Sequence, residues 1–336
     1  MLSGTAPLRG RAGLELQVAP LDYPPLDYRS AAQFWNLDDP RLAVLVHAIV
    51  GGTPAYLREY VRDDAASSIA DFDSWVVRTV LNPASPLFRE ARYLLTEDPG
   101  LRDLTLYHSV LTAVVDGNTT RGGIAGYIGR KATDLQHPLT VLEDAGLPAR
   151  DDDPLRSGRS NYRIIEPLVT FYQAIMRPAW TRLERRQGSQ VWLGARRRFD
   201  SGVLGPHFEQ LRRTWVAEFA APGTLSALPA AVGHGAVNGA AGRTSHEVDI
   251  VALGDPDTGP RPVLVLGETR WGEQMGQAHL DRLRHIRTLL RRHRDIDATG
   301  AKLLCASGAG FTSELRAAAD AGEVILLDLE RLYFGA

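Results

Sequence analysis

The sequence predicts a multidomain α+β chain: a helical block, then a helix-turn-helix with a hairpin wing, then an α/β sheet. Three patterns predict it. Apolar residues recur at helical spacing through much of residues 40–95. Three short helical runs between 104 and 146 stop at Gly117, Gly129 and Gly146 and are followed by two β-runs around a polar tip. From Glu247 onward, alternating or unbroken apolar β-runs are separated by helical ones. At roughly 100–200 residues per domain, 336 residues hold two or three domains. The expected segments are a helical block at 1–100, a winged helix at 101–168, a basic helical connector at 169–200 and the sheet domain at 201–336.

In the first block, Leu14-Glu15-Leu16-Gln17-Val18 alternates like a strand but has no partner in the helices that follow, which implies a missing neighbour. Leu42–Ala48 is helical, and Gly51-Gly52-Thr53-Pro54 stops that helix and starts the next, with Pro54 placed at a first helical turn. Helical runs follow at Ile69–Leu81 and Pro86–Leu95. In the second block, Leu104–Val115 and Thr120–Ile128 are helical, and Leu135, Leu139 and Leu142 mark a third helix. Leu147–Arg150 and Asn161–Ile165 then flank the tip at 151–160. A third helix in a DNA groove would present Lys131, Thr133, Asp134, Gln136 and His137. Pro138 kinks that helix or starts it late, and Asp151-Asp152-Asp153 repels phosphate, so a packing or protein-contact role is the competing reading. Arg156 and Arg159 on the wing keep nucleic-acid binding open.

The third block begins with helical runs at Phe171–Arg186 and Phe208–Trp215. Strands are expected at Glu247–Leu253 and Pro262–Trp271 around the turn at 254–260. Helix Gln277–Arg292, strand Lys302–Ala306, helix Ser313–Ala321 and strand Val324–Leu329 complete the chain. Gly223–His234 carries no motif and reads as a loose connector. His207, His234 and His246 are too scattered for a metal site and read as ordinary polar residues. The stretch from Ser307 to Ser313 resembles a phosphate loop but lacks its lysine, and reads as a cap on the helix near Ser313.

Composition narrows the class. With 44% hydrophobic and 23% charged residues the chain is neither disordered nor fibrous. The longest nearly unbroken apolar run, Leu42–Val50, is far short of the ~20 residues that span a bilayer, so no membrane partner is expected. The N-terminus shows no secretion signal, which makes the cytoplasm the default compartment. Cys305 stands alone, which forbids an internal disulfide and a cysteine-based zinc cluster. The net charge of -2 conceals basic segments: nine arginines against three acids from Arg177 to Arg213, and six arginines with no acid from Arg282 to Arg294. Such clusters suit a polyanion, although arginines on solvated helix faces explain them equally well.

The acids of the third block carry the chemistry. Asp249 and Glu268 lie on consecutive strands, so pairing can bring both carboxylates to one end of the sheet. Two hard oxygen ligands side by side suit Mg²⁺, with water and a substrate phosphate completing its shell. Glu209, on the preceding helix, can approach from the side. This is the pattern of metal-dependent phosphodiester hydrolysis.

Glu209, Asp249 and Glu268-Thr269-Arg270 resemble the PD-(D/E)XK nuclease-like fold. The wider order resembles the C-terminal two-thirds of the archaeal-type AAA/STAND ATPases. Gly51-Gly52-Thr53-Pro54-Ala55-Tyr56-Leu57, the winged helix, Tyr162-Arg163-Ile164-Ile165-Glu166-Pro167, Glu247-Val248-Asp249-Ile250-Val251 and Gly267-Glu268-Thr269-Arg270-Trp271 carry that resemblance. It covers nearly the whole chain and implies a helical lid, a winged helix and an α/β restriction-endonuclease-like C-terminal domain. There are two departures. No Gly-x-x-x-x-Gly-Lys-Ser/Thr occurs, so this chain alone is not expected to bind or hydrolyse ATP, and Pro7–Arg11 resembles the segment that follows the missing ATPase core. Arg270 stands where the nuclease pattern has lysine, and a guanidinium cannot give up a proton as an amine can.

Two functions are therefore expected to compete. One is a non-catalytic or weakly active module that binds nucleic acid, or a partner protein such as a separate ATPase domain, with Lys131, Arg156, Arg159, Arg291 and Arg292 on DNA. The other is a Mg²⁺-dependent DNA nuclease in which Asp249 and Glu268 hold the metal, Glu209 assists and Arg270 holds the scissile phosphate.

Overall fold

A computed structural model describes residues 25–94, 103–239, 244–256 and 259–336. The expected strand at Leu14–Val18 and the segment Pro7–Arg11 lie outside the described residues. The chain is mixed α+β, with one large mixed sheet and, among the described residues, no barrel.

Helices α1 (Tyr28–Phe34), α2 (Pro40–Val50), α3 (Phe72–Arg78) and α4 (Pro86–Tyr93) form the first block. Pro40 opens α2, and the Asp39 carboxylate accepts from the amides of Arg41 and Leu42, the donors a helix start leaves unpaired. α2 is apolar on almost every face because it packs on α1 and α3 and also on three helices of the later chain. The glycine pair behind it does more than end a helix. Gly51 takes a φ of 58°, and Gly52 lies so close to Leu26 that a Cβ there would strike the Leu26 carbonyl, while the Leu26 amide donates to Gly52 O at 2.9 Å.

The next block holds α5 (Leu104–Val115), α6 (Arg121–Ile128) and α7 (Gln136–Asp144), then strands β1 (Pro148–Asp152) and β2 (Ser160–Ile164) in an antiparallel hairpin. Asp103 and Thr120 cap α5 and α6 by accepting from Leu106 N and Gly123 N. The proline question resolves as a late start. Ala132–Leu135 forms a 3₁₀ turn, and Pro138 sits in the first turn of α7, where its missing amide is not needed. The hairpin tip is partly folded in: Leu155 is buried in the core beneath the C-terminal sheet, while Ser157 and Gly158 are exposed.

Helices α8 (Pro167–Phe171), α9 (Trp180–Glu184), α10 (Gly188–Phe199), α11 (Gly205–Thr214) and α12 (Pro222–Leu225) lead to the sheet. A π turn at Asp200–Leu204 joins α10 to α11, and a second at Trp215–Phe219 extends α11. The strands are β3 (Ala231–Asn238), β4 (Ser245–Leu253), β5 (Arg261–Arg270), β6 (Ile296–Asp297), β7 (Lys302–Ser307) and β8 (Ile325–Leu327). Their order is β3-β4-β5-β7-β8, with β6 also beside β5. β4 runs antiparallel to both its neighbours β3 and β5, whereas β5, β7 and β8 run parallel through crossovers carrying α13 (Gln277–Leu290) and α14 (Ser313–Asp320). The last helix is α15 (Leu329–Phe334).

Two expectations need correction here. Residues 231–234 are not connector but the start of edge strand β3, which the glycines of Gly233-His234-Gly235 disguise. The last strand stops at Leu327 because the Asp328 carboxylate turns to cap α15, accepting from Arg331 N at 2.8 Å.

The sheet is covered on both faces, which explains the near-continuous apolar runs of β4 and β5. One face, with Ile250, Val265 and Leu304, joins a core that also takes in α2, the α5–α7 block and α11. The other, with Val251, Leu266 and Leu303, packs on Leu283, Ile286 and Leu315 of α13 and α14.

Candidate functional site

The ladder between β4 and β5 pairs Ile250 with Gly267 and Val251 with Leu266. That ladder stops at Ile250, where β4 carries one extra residue against β3 between Val248 and Val251, so Asp249 and Glu268 are brought together not by direct pairing but by Arg270, which contacts both. Gly267 is small for a reason: a Cβ there would lie 3.1 Å from Ile250 and 3.3 Å from Leu304. The two acids thus meet at the end of the sheet where β5 leaves it.

Their surroundings are cationic. Glu268 is 1% exposed, and each of its oxygens has its own guanidinium: Arg270 Nη2 at 2.5 Å and Arg282 Nη1 at 2.9 Å. Arg282 also donates to Glu247 O at 2.7 Å, tying α13 to β4. Arg270 reaches across the pair, with Nη1 3.7 Å from Asp249 Oδ2 and 2.7 Å from Thr269 O. Asp249 Oδ2 accepts from the amide and the hydroxyl of Thr269 at 2.8 and 3.2 Å. Burial lifts the Asp249 carboxyl above its ordinary range, against the pull of the Thr269 amide and Arg270.

Glu209 on α11 completes the group, as the sequence pattern anticipates. Arg213, one helical turn on, donates to Asp249 O at 3.1 Å and lies 3.7 Å from Glu209 Oε2. Burial, reinforced by the charge of Asp249, pushes the Glu209 carboxyl up to about 7, while Arg213 and Arg270 work against it. Three carboxyls are thereby interleaved with three guanidiniums. Cys305, paired with Glu268 in the parallel ladder, has its thiol pushed up to about 12 by burial and then by Glu268, so it is no nucleophile at neutral pH.

Mg²⁺ asks for free carboxylate oxygens in an open octahedral shell. As arranged, this donor set does not fit it. Both oxygens of Glu268 and one of Asp249 are engaged, the Arg270 guanidinium lies between the two acids, and among the described residues no three His, Cys, Asp or Glu side chains group around a common point.

The expected nucleic-acid residues are not gathered at this site. Lys131, Thr133 and Asp134 are exposed ahead of α7, as are Gln136 and His137 at its start. Arg156 Nη2 donates to Asn238 Oδ1 at 2.5 Å, so that wing arginine is spent on β3, while Arg159 is half-buried. Arg291 and Arg292 are exposed beyond the C-terminal end of α13. The residues there lead into Ile296, which pairs with Arg261 at the start of β5, the opposite end of that strand from Glu268. Seven residues of strand separate those ends, roughly 23 Å.

Sequence reasoning missed a buried imidazole pair. His47 Nδ1 of α2 lies 2.9 Å from His207 Nε2 of α11; His47 falls inside the apolar run Leu42–Val50, and His207 reads as an ordinary polar residue. Nothing in the spacing of positions 160 residues apart announces such a pair. The two motif segments at 51–57 and 162–167 also meet: the Tyr56 hydroxyl bonds the Glu166 carboxyl, and Gly51 lies against Pro167.

Comparison with known proteins adds little. No family model matches the chain, and no curated protein does. The solved structure of protein VC1899 from Vibrio cholerae aligns over 73% of this chain at 16% identity with a TM-score of 0.28. The alignment spans about half of that protein, 51% of its chain.

Proposed function

We propose that this chain is a binding module without turnover: the lid, winged-helix and nuclease-like portion of an archaeal-type AAA/STAND-like protein, engaging nucleic acid through its exposed arginines. ATP chemistry, on this reading, belongs to a separate ATPase domain, since the P-loop motif is absent from the sequence. The observation that supports silence is the paired occupation of Glu268 by Arg270 and Arg282. A guanidinium supplies the positive charge that a divalent ion would bring, yet it can neither activate water nor lose its proton. The contacts between the 51–57 and 162–167 motifs, which carried the resemblance, are in keeping with a shared ancestry. For binding, the support is the exposed run Arg291-Arg292-His293-Arg294, whose side chains make no ion pair within 4 Å among the described residues.

One observation favours the second reading, a DNA nuclease. Arg270 draws Asp249 and Glu268 together, and Glu209 beside them has its carboxyl near 7, where it can exchange a proton. Incubation with single- and double-stranded DNA in Mg²⁺ or Mn²⁺ separates the two. Salt-sensitive retention of intact DNA is expected. Cleavage that disappears in Asp249→Ala would replace the first reading by the second.

A further inference from the structure

A cavity of about 780 Å³ lies where α2, the end of α5, β2, α11 and β3 converge, well within the size range of small-ligand pockets. The π turn at Asp200–Leu204 forms part of its rim, and it is separate from the acid pair, touching that site only through Glu209 and Arg213. We propose that this cavity binds a small organic cation, an aliphatic diamine or polyamine.

The wall decides the charge of the occupant. Its three arginines already have carboxylate partners: Arg163 with Asp151 at 2.7 Å, Arg198 with Asp116, and Arg213 with Glu209 at 3.7 Å. No guanidinium is therefore left over for a phosphate or carboxylate ligand. Acids, in contrast, are in surplus. Glu166 is held by the Tyr56 hydroxyl and by the Leu168 amide at 3.4 Å, both neutral donors, and six acids line the wall against three arginines. An acceptor is also in surplus if His47 donates through Nδ1 to His207, because His47 Nε2 is buried with no partner among the described residues. An ammonium group brings several N–H donors and a positive charge, which is what these groups lack. Between them Ala48, Val114, Val115, Val203 and Pro206 give an apolar wall suited to a methylene chain.

The ionisation of the two glutamates agrees with this geometry. Burial holds Glu166 up to about 7, with Glu90 adding to the effect, and Glu209 likewise faces Asp249 as well as Arg213 and Arg270. A bound cation would draw both into the charged form, so the cost of burying them falls when the ligand arrives.

Isothermal titration of the full chain with spermidine and cadaverine tests the proposal, with pentanediol and glutarate as uncharged and anionic controls. Saturable binding of the amines alone is expected. Loss of one charge-assisted contact in Glu166→Gln or Glu209→Gln should weaken it about tenfold. Ser201→Trp, at an exposed position on the rim, should abolish it while leaving the circular dichroism and Tm unchanged. No heat with either amine, binding undiminished in Ser201→Trp, or glutarate binding as tightly as cadaverine would each overturn it. None of these outcomes bears on DNA cleavage or retention, so the proposed function stands or falls separately.

Discussion

His47 and His207 hydrogen-bond each other inside the protein, and burial sets how both respond to acid. The His47 imidazole is held down to about 4 and that of His207 well below its ordinary value, in the latter case with His47 and Arg212 adding to the effect of burial. Unfolded, a histidine titrates near 6.5. Below that pH the unfolded chain takes up protons that the folded chain refuses, so stability is full above 6.5 and drains away as the pH falls toward 4. For His47 the gap of 6.5 − 4 = 2.5 units corresponds to roughly 3 kcal/mol. Glu166 and Glu209 run the other way: held up to about 7, their contribution is full below 4.5 and is lost as the pH rises through 7. The wild-type profile therefore mixes opposing slopes, and the informative quantity is a difference. Urea denaturation of the wild type and of His47→Gln from neutral pH down to about 4.5 should show the variant losing less stability on acidification, by up to about 3 kcal/mol. Parallel profiles would mean that His47 is already solvated and free to protonate. That Asp249 and Glu268 lie on adjacent strands was legible from the β-patterns at 247–253 and 262–271; the histidine pair was not, because helix α2 meets α11 only through the tertiary core.

At the scale of elements, the wing and the edge strand explain one another. β3 has little intrinsic tendency to be a strand, since Gly233-His234-Gly235 offers no β-branched packing at its centre and its register with β4 shifts between the two glycines. What holds it is β4 on one side and the wing tip on its face. A Cβ on Gly233 would come 2.8 Å from Pro154, and one on Gly235 would come 2.9 Å from Asp153 Oδ1 and 3.0 Å from Leu155. The glycines thus record a docking contact that a local reading of the sequence takes for looseness. The same contact buries Asp153, whose carboxylate accepts from Leu155 N at 2.9 Å, so the acidic tip that seemed to argue only against DNA has a structural use. Gly235→Val is expected to lift the tip off the strand at a cost of about 1–3 kcal/mol, typical of overpacking. Hydrogen exchange should then show faster exchange at Leu155 and Arg156, while Gly223→Ala, facing open space, leaves both unchanged. Undisturbed protection at Leu155 in Gly235→Val would show that the wing is not seated on β3.

Across the whole molecule, the order of helices, hairpin and sheet was readable because each element's period and caps are local, whereas the larger core, running from α1 to α15, was not, since it depends on which faces meet. That packing also separates two features the sequence placed together. Arg282 and Arg291 lie on one helical run, yet the first anchors Glu268 and the second stands at the far end of β5. On the proposed function, nucleic acid held by Arg291 and Arg292 would not touch the acids, and binding without cutting follows. Arginines that meet phosphate release counterions on binding, and each such contact contributes about −0.9 to the slope of log K against log salt for B-DNA. Replacing Arg291 and Arg292 by Ala should therefore make that slope shallower by about 1.8, with affinity lowered alike across unrelated sequences. Arg284 supplies the control: on the same helix but already paired with Asp281 at 2.7 Å and with Glu323, its replacement by Ala should leave the slope near that of the wild type. Fluorescence anisotropy over a salt series reads both. An unchanged slope in the Arg291/Arg292 variant, or an equal change in Arg284→Ala, would mean that this end of the sheet does not carry the polyanion, and the exposed arginines around α9 and α10 would be the next surface to neutralise.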